Sequence, residues 1–223
     1  MDLDTILPRL LAAGLILLIA FPVHEAAHAY AAWRLGDGTA KLFGRITLNP
    51  IVHFDPLGGL LLLVSSLIGF GIGWAKPTPV NPSNLRGGRG SEGIVAAAGP
   101  LSNLLLAALG AIVFRAVFAA FQSGTDIPIM VLETLANFVV INIALMLFNF
   151  IPVAPLDGSK VLFSLLSPRQ AWQWRPILEQ YGFLLLLIVA FVPIFPGNQT
   201  LFGTIFTRIG LPIVNLLVGI DLF

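Results

Sequence analysis

Cysteine is absent from this chain and charge is scarce: 10% of its 223 residues are Asp, Glu, Lys or Arg. Without thiols there are no disulfides and no thiolate ligands, so His, Asp and Glu must supply any metal site. Soluble domains carry roughly one quarter charged residues. With 57% hydrophobic residues and a mean hydropathy of +0.93, the chain reads as an integral membrane protein in the lipid bilayer. A net charge of +1 leaves no case for nucleic-acid binding. Also missing are a long polar stretch, an internal repeat and a low-complexity tract. The expectation is one membrane-embedded domain over 1–223, with a core over 5–167 and C-terminal helices over 180–219. The N-terminus lacks the positive charge of a secretory signal and carries Asp2 and Asp4 instead, so its apolar run reads as a retained span.

What is present is a set of long apolar runs. Spans of about 20 residues fit 5–33, 93–121, 128–149, 180–195 and 200–219, with the last two packed on the core or partly interfacial. A shorter, glycine-rich run lies at 57–73. Lys and Arg accumulate on the cytoplasmic side of membranes. If 57–73 does not cross, one face receives Arg34, Lys41, Arg45, Lys76, Arg86, Arg89, Arg169 and Arg175. The opposite face, at 122–127 and 196–199, then receives none. That arrangement predicts that 57–73 is re-entrant or lies alongside the core, with the N-terminus outside. Pro77, Pro79 and Pro82 follow in a polar run, and prolines so spaced fit a short hairpin or an extended edge. The fold class is all-α polytopic, with five to six membrane segments and a short β-hairpin at the membrane edge.

Inside the first apolar run sit His24, Glu25 and His28. Ionisable groups in a span are costly and mark functional sites. On a helix, HEAAH puts two imidazoles on one face, the arrangement in which they bind zinc while the glutamate handles a proton. A catalytic zinc takes three protein ligands and keeps one position open. The chain has three histidines, and the third, His53, reads as a loop residue that packs or caps. Glu133 lies near the outer end of its span, and Arg115 reads as snorkelling to the interface. Asp157, in NFIPVAPLDG, is the better third ligand. Glu25 lies roughly 29 Å along the first helix from Ile6, and Asp157 follows a span of the same direction, so their depths agree. Pro152 and Pro155 break the helix between Asn149 and Leu156, giving the non-helical backbone that a wet cavity permits. As an Asp before Gly, Asp157 also suits a helix N-cap. Asn103 and Asn142 are polar residues within spans, read equally as interhelical hydrogen bonds or as substrate contacts.

HEAAH, together with Asn149, Pro152, Pro155, Leu156, Asp157 and Gly158 in the pattern N-x-x-P-x-x-P-L-D-G, resembles the site-2 protease family of intramembrane zinc metalloproteases. NPIVHFDPLG, GWAKPTPVNP and AGPLSN resemble its compact members without a PDZ domain. The resemblance implies one catalytic Zn2+ held by His24, His28 and Asp157, with Glu25 as general base to the attacking water. It implies hydrolysis of a peptide bond in or near a transmembrane segment of a membrane protein substrate. Asn149 matches the family's asparagine, a candidate for holding substrate or the oxyanion. The edge at Lys76, Pro77 and Pro79 is a candidate for capturing the substrate as an added strand. The expected location is a bacterial or archaeal cell membrane, with the site towards the cytoplasm. Two other functions compete: a metal-handling membrane transporter and a non-catalytic pseudoenzyme that binds helices. Transport favours polar groups on both sides of the site, whereas here they cluster at one end; Glu25 is superfluous for it and argues equally against the pseudoenzyme.

Overall fold

The computed structural model describes residues 3–67 and 73–221, with side chains from residue 6 onward. Its first apolar run is a continuous rod in three pieces: α1 (Leu3–Leu15), a π-helical turn (Ile16–Ala20) and α2 (Phe21–Arg34). The π turn has a sequence cause. Pro22 has no N–H to give to the preceding turn, and the wider turn, closed by the Phe21 N–H on the Ile16 carbonyl, absorbs that deficit.

After α2 the chain turns at Gly36, whose φ of +111° favours glycine. Three short helices follow: α3 (Thr39–Leu42), α4 (Pro50–His53) and α5 (Pro56–Leu67). Twelve residues of α5 rise about 18 Å, well short of a hydrocarbon core of about 30 Å. Of the run 57–73, residues 68–72 lie outside the described residues. Its two ends meet: a Cβ on Gly58 would strike the Trp74 carbonyl, and one on Gly73 would lie 2.5 Å from the Leu62 Cβ. The chain therefore returns to the level it left, as a re-entrant segment must.

Residues 73–81 then run without helix or ladder into a 3-10 turn (Pro82–Asn84). The hairpin expected here is not formed among the described residues. Pro77 and Pro79 withhold alternate N–H donors, which suits an edge and starves a ladder. The strands that do pair are β1 (Pro193–Phe195) and β2 (Gln199–Thr200), far along the chain.

The central element is α6 (Gly88–Gln122), against which α2, α7 (Ile129–Asn149) and α8 (Asp157–Leu165) pack. Small residues let them approach. A Cβ on Gly93 would strike the Ser164 side chain, and one on Gly110 would lie 2.9 Å from the Phe138 ring. α9 (Pro168–Phe191) opens on a Ser167–Gln170 capping box with proline in its first turn, twelve residues before the expected span start. Its polar first half, PRQAWQWRPILEQ, concealed the helix from a search for apolar runs. Among the described residues, five helices are long and apolar enough to cross a membrane.

The far end of the chain corrects one expectation. α10 (Leu201–Ile205), a π turn (Phe206–Gly210) and α11 (Leu211–Val218) form the last helix, and again the π turn precedes a proline, Pro212. Phe202 packs on Phe148 at the start of this helix, with ring centroids 5.2 Å apart. At its other end Arg115 donates to the Leu216 carbonyl at 2.9 Å. The helix thus runs antiparallel to α7, and residues 196–199 lie at the Asn149 end of the bundle, not beside loop 122–127. α9 stays near that end too, since Arg175 bonds Glu92 at 3.1 Å and Gly182 abuts the Ala154 carbonyl. Because 196–199 carries no Lys or Arg, the charge asymmetry survives this correction. Arg115 complements the carbonyl end of the last helix, a role beyond snorkelling.

Asp37 ties the turn after α2 to the proline-rich segment. Its carboxylate accepts from the Thr39 N–H and hydroxyl, the Asn81 N–H at 2.7 Å and the Asn84 amide at 3.0 Å. Burial alone would raise its pKa, but the bonds from Thr39, Asn84 and Asn81 outweigh that and hold the carboxyl below its ordinary value. Asp37→Ala strands these donors and is expected to cost about 1–3 kcal/mol, measured by thermal unfolding at pH 7. A group with a lowered folded pKa stabilises fully above its unfolded pKa of about 3.9 and loses that contribution as pH falls through the folded value. The gap between wild type and variant should therefore narrow only below about pH 4.

Candidate metal centre

Three elements converge on one point. α2 presents His24 and His28 on one face, and their rings meet edge to face with centroids 4.7 Å apart. α8 presents Asp157, whose first-turn position is reached because helix α7 ends at Asn149 and residues 150–156 stay non-helical, with a cis bond between Ala154 and Pro155. The N-cap position belongs to Leu156, so the Asp157 side chain is free of capping. Gly158 permits the approach, because a Cβ there would run into the Phe150 and Ile151 carbonyls.

The geometry is that of a ligand set. The two Nε2 atoms are 3.0 Å apart, and the Asp157 Oδ2 lies 3.3 Å from His24 Nε2 and 3.2 Å from His28 Nε2. A tetrahedral zinc with bonds of about 2.0–2.2 Å spaces its ligands about 3.3–3.6 Å apart. Protonation sharpens the fit. His28 Nδ1–H donates to the Val95 carbonyl at 2.7 Å, and His24 Nδ1–H donates to the Asn103 amide oxygen at 2.6 Å. In their neutral forms both rings then turn a bare Nε2 lone pair inward. Two lone pairs and a carboxylate oxygen within 3.3 Å repel one another unless a cation lies among them. Among the described residues this is the group whose ligand atoms fit a metal ion.

α6 closes the site from above. A Cβ on Gly99 would collide with His28 Nε2 and fall 2.6 Å from His24 Nε2, so glycine is what leaves room for an ion. Pro100 removes the next helical N–H.

Glu25 follows His24 on α2 and is half-buried. One of its carboxylate oxygens accepts the Thr78 N–H at 2.7 Å, while the Thr78 hydroxyl donates to the Glu25 backbone carbonyl at 3.0 Å. The segment 73–81 is thereby laid across α2 at its acidic residue. Lys76 anchors it as well, donating its N–H to the His53 carbonyl at 2.8 Å. Lys76 and Pro77 are exposed and Pro79 is half-buried.

His53 stands apart from the His24–His28–Asp157 cluster; its ring meets the Thr47 carbonyl at 2.9 Å and it is 1% exposed. Glu133 is exposed. Asn103 and Asn142 are both fully buried and bonded to each other at 3.1 Å. Asn149 is half-buried, its amide donating to the Leu145 carbonyl at 3.0 Å. Sequence reasoning missed Thr78, Val95 and Gly99. Thr78 carried a signal, being the one residue between Pro77 and Pro79 with an N–H to give; the other two depend on how α6 packs.

A largely buried His–His–Asp cluster on apolar helices is a candidate metal site in a membrane protein. The family model for peptidase family M50 matches residues 12–191. YwhC of Bacillus subtilis is 38% identical over 185 residues, covering 80% of this chain and 79% of the relative. Rip2 of Mycolicibacterium smegmatis is 31% identical over 199 residues, covering 85% of this chain and 72% of the relative. Both carry the words zinc metalloprotease in their names. No solved structure matches the chain. The chain belongs to peptidase family M50, the site-2 proteases, and is an integral membrane metalloprotease whose cofactor is Zn2+.

Gly99→Ala is expected to push the imidazoles apart and reduce bound zinc from about one ion per chain towards none, with helix content kept. Metal analysis beside circular dichroism checks this.

Proposed function

We propose that this chain hydrolyses a peptide bond in or near a transmembrane segment of another membrane protein, with His24, His28 and Asp157 as zinc ligands and Glu25 as general base. The observation that carries this reading is the three inward lone-pair atoms, 3.0–3.3 Å apart, beside a glutamate that is not one of them. Zinc bound there supplies a Lewis acid for the scissile carbonyl and acidifies the attacking water to a pKa of about 7.

The chain's own residues do the rest. Glu25 takes the water's proton and returns it to the leaving amine. Thr78 holds one Glu25 oxygen and leaves the other for that transfer. Asn149, where α7 ends, is the proposed donor to the developing oxyanion. A substrate helix has to unwind first, because its carbonyls are tied up internally. Segment 76–80 offers the unwound strand an edge: Lys76 and Thr78 turn their N–H groups into the protein, and Pro77 and Pro79 have none. Its free face therefore presents acceptors, suited to the N–H groups of an extended substrate.

The polar ends of α2, α6 and α8 share one end of the bundle with Arg34, Lys41, Lys76, Arg86 and Lys160. By the positive-inside rule that end faces the cytoplasm of the cell membrane. A transporter has no use for a base held by Thr78, and a pseudoenzyme has none for Glu25.

Co-expression with membrane protein substrates tests the reading. Glu25→Gln should retain zinc while cleavage falls about 100- to 10,000-fold, and Asp157→Ala should lose zinc as well. Full cleavage by Glu25→Gln would sink the mechanism. Asn149→Ala should lower turnover by about 100- to 1,000-fold. Thr78→Val should lower turnover with zinc content unchanged, and Thr78→Ser should restore it.

A further inference from the structure

The two imidazoles are locked by unequal means. His28 Nδ1–H meets the Val95 carbonyl at 2.7 Å. A backbone carbonyl can only accept, so that contact admits a single neutral tautomer, the one with its lone pair on Nε2. His24 Nδ1 instead meets an amide side chain, Asn103, at 2.6 Å. An amide is reversible: turned over, it would donate to Nδ1 and put the ring proton on Nε2, where a metal has to bind.

What prevents the reversal lies a helix away. Asn103 on α6 donates through Nδ2 to the Asn142 amide oxygen on α7 at 3.1 Å. Asn142 in turn donates through its own Nδ2 to the Phe138 carbonyl at 2.9 Å. That carbonyl can only accept, so Asn142 must face it with nitrogen and face Asn103 with oxygen. Asn103 must then give its nitrogen to Asn142 and its oxygen to His24. Both amides are fully buried, so water offers no alternative partner.

We infer that Asn103 and Asn142 form a polarity relay that transmits the one-way character of the Phe138 carbonyl to His24 and keeps its Nε2 bare for zinc. Neither residue touches the ligand atoms of the site; both are positioning residues. This assignment differs from substrate contact, which full burial disfavours, and it rests on the ligand set proposed above. Groups that orient metal-bound histidines typically contribute about 10- to 100-fold in affinity. Asn142 acts through the fraction of Asn103 held the right way round, so its removal should weaken binding less.

The test uses metal-free, 15N-histidine-labelled full-length protein in detergent at alkaline pH, and the chain's three histidines keep the spectrum simple. Wild type should show the Nδ1–H tautomer at both His24 and His28. Asn142→Leu should shift His24 towards Nε2–H and leave His28, held by backbone, unchanged. Cobalt titration should then show binding weakened several-fold for Asn142→Leu and about 10- to 100-fold for Asn103→Leu. Asn103→Asp has two accepting oxygens and needs no orientation, so adding it to Asn142→Leu should recover the His24 tautomer and much of the affinity. An Asn142→Leu protein with unchanged His24 tautomer and cobalt affinity would overturn the relay, as would equal shifts at His24 and His28, the mark of general loosening. Wild type that binds no cobalt would instead remove the ligand set itself.

Discussion

Three atoms that repel one another are held within 3.3 Å inside an apolar bundle. His24 Nε2, His28 Nε2 and Asp157 Oδ2 have no donor among them once both rings are neutral. The surrounding fold is arranged to enforce that proximity. α2 fixes the imidazole spacing, the break after α7 delivers the carboxylate, and Gly99 keeps α6 close without filling the centre. If this cluster holds zinc as proposed, the ion would turn that repulsion into coordination and tie its affinity to the packing of α2, α6 and α8. On that reading, loosening the packing of these helices would weaken metal binding, and removing the metal would leave an unfavourable cluster in the bundle.

Proline stands at several of the places where this chain departs from a regular helix. Pro22 and Pro212 each follow a π turn, in which the wider turn absorbs the donor that proline lacks. Pro152 and Pro155 keep residues 150–156 out of helix and so set the entry to α8. Pro77 and Pro79 keep the edge segment extended and strip its outer face of N–H groups. Each effect follows from two facts, a fixed φ and a missing donor. The differences lie in what the neighbouring backbone does about the vacancy.

This explains what was legible in the sequence. HEAAH was, because i, i+4 spacing on a helix is local geometry. Asp157 was, because helix direction and rise put it at the depth of Glu25, and the prolines announced the break. That the ends of 57–73 come back together was legible through charge, since the positive residues gather on one face only if the run turns back. The end of the chain was not: apolar length says that a helix is long enough to cross, and only contacts such as Phe148 with Phe202 say which way it runs. The start of α9 was hidden because its signal is a capping box, not an apolar run. Asn103 and Asn142 stood out as polar, but their partners are set by how α6 and α7 pack.

The segment 73–81 faces opposing demands, and the way it is held reconciles them. An edge that is to receive another strand needs unpaired backbone, yet an unpaired segment at this depth has to be fixed or it will wander. A second strand would fix it and use up the edge. The chain instead pins it from one side through single bonds to unlike partners: the His53 carbonyl at Lys76, the Glu25 carboxylate at Thr78 and the buried Asp37 at Asn81. The spacing of 76 and 78 matches the two-residue period of extended backbone, so the inward donors are spent and the outer edge stays open. Since one of the pins is Glu25, the position of the edge and the orientation of its carboxylate are coupled. On the proposed reading, a substrate strand that shifts the edge would act on the carboxylate, a coupling that a conventional hairpin would lack.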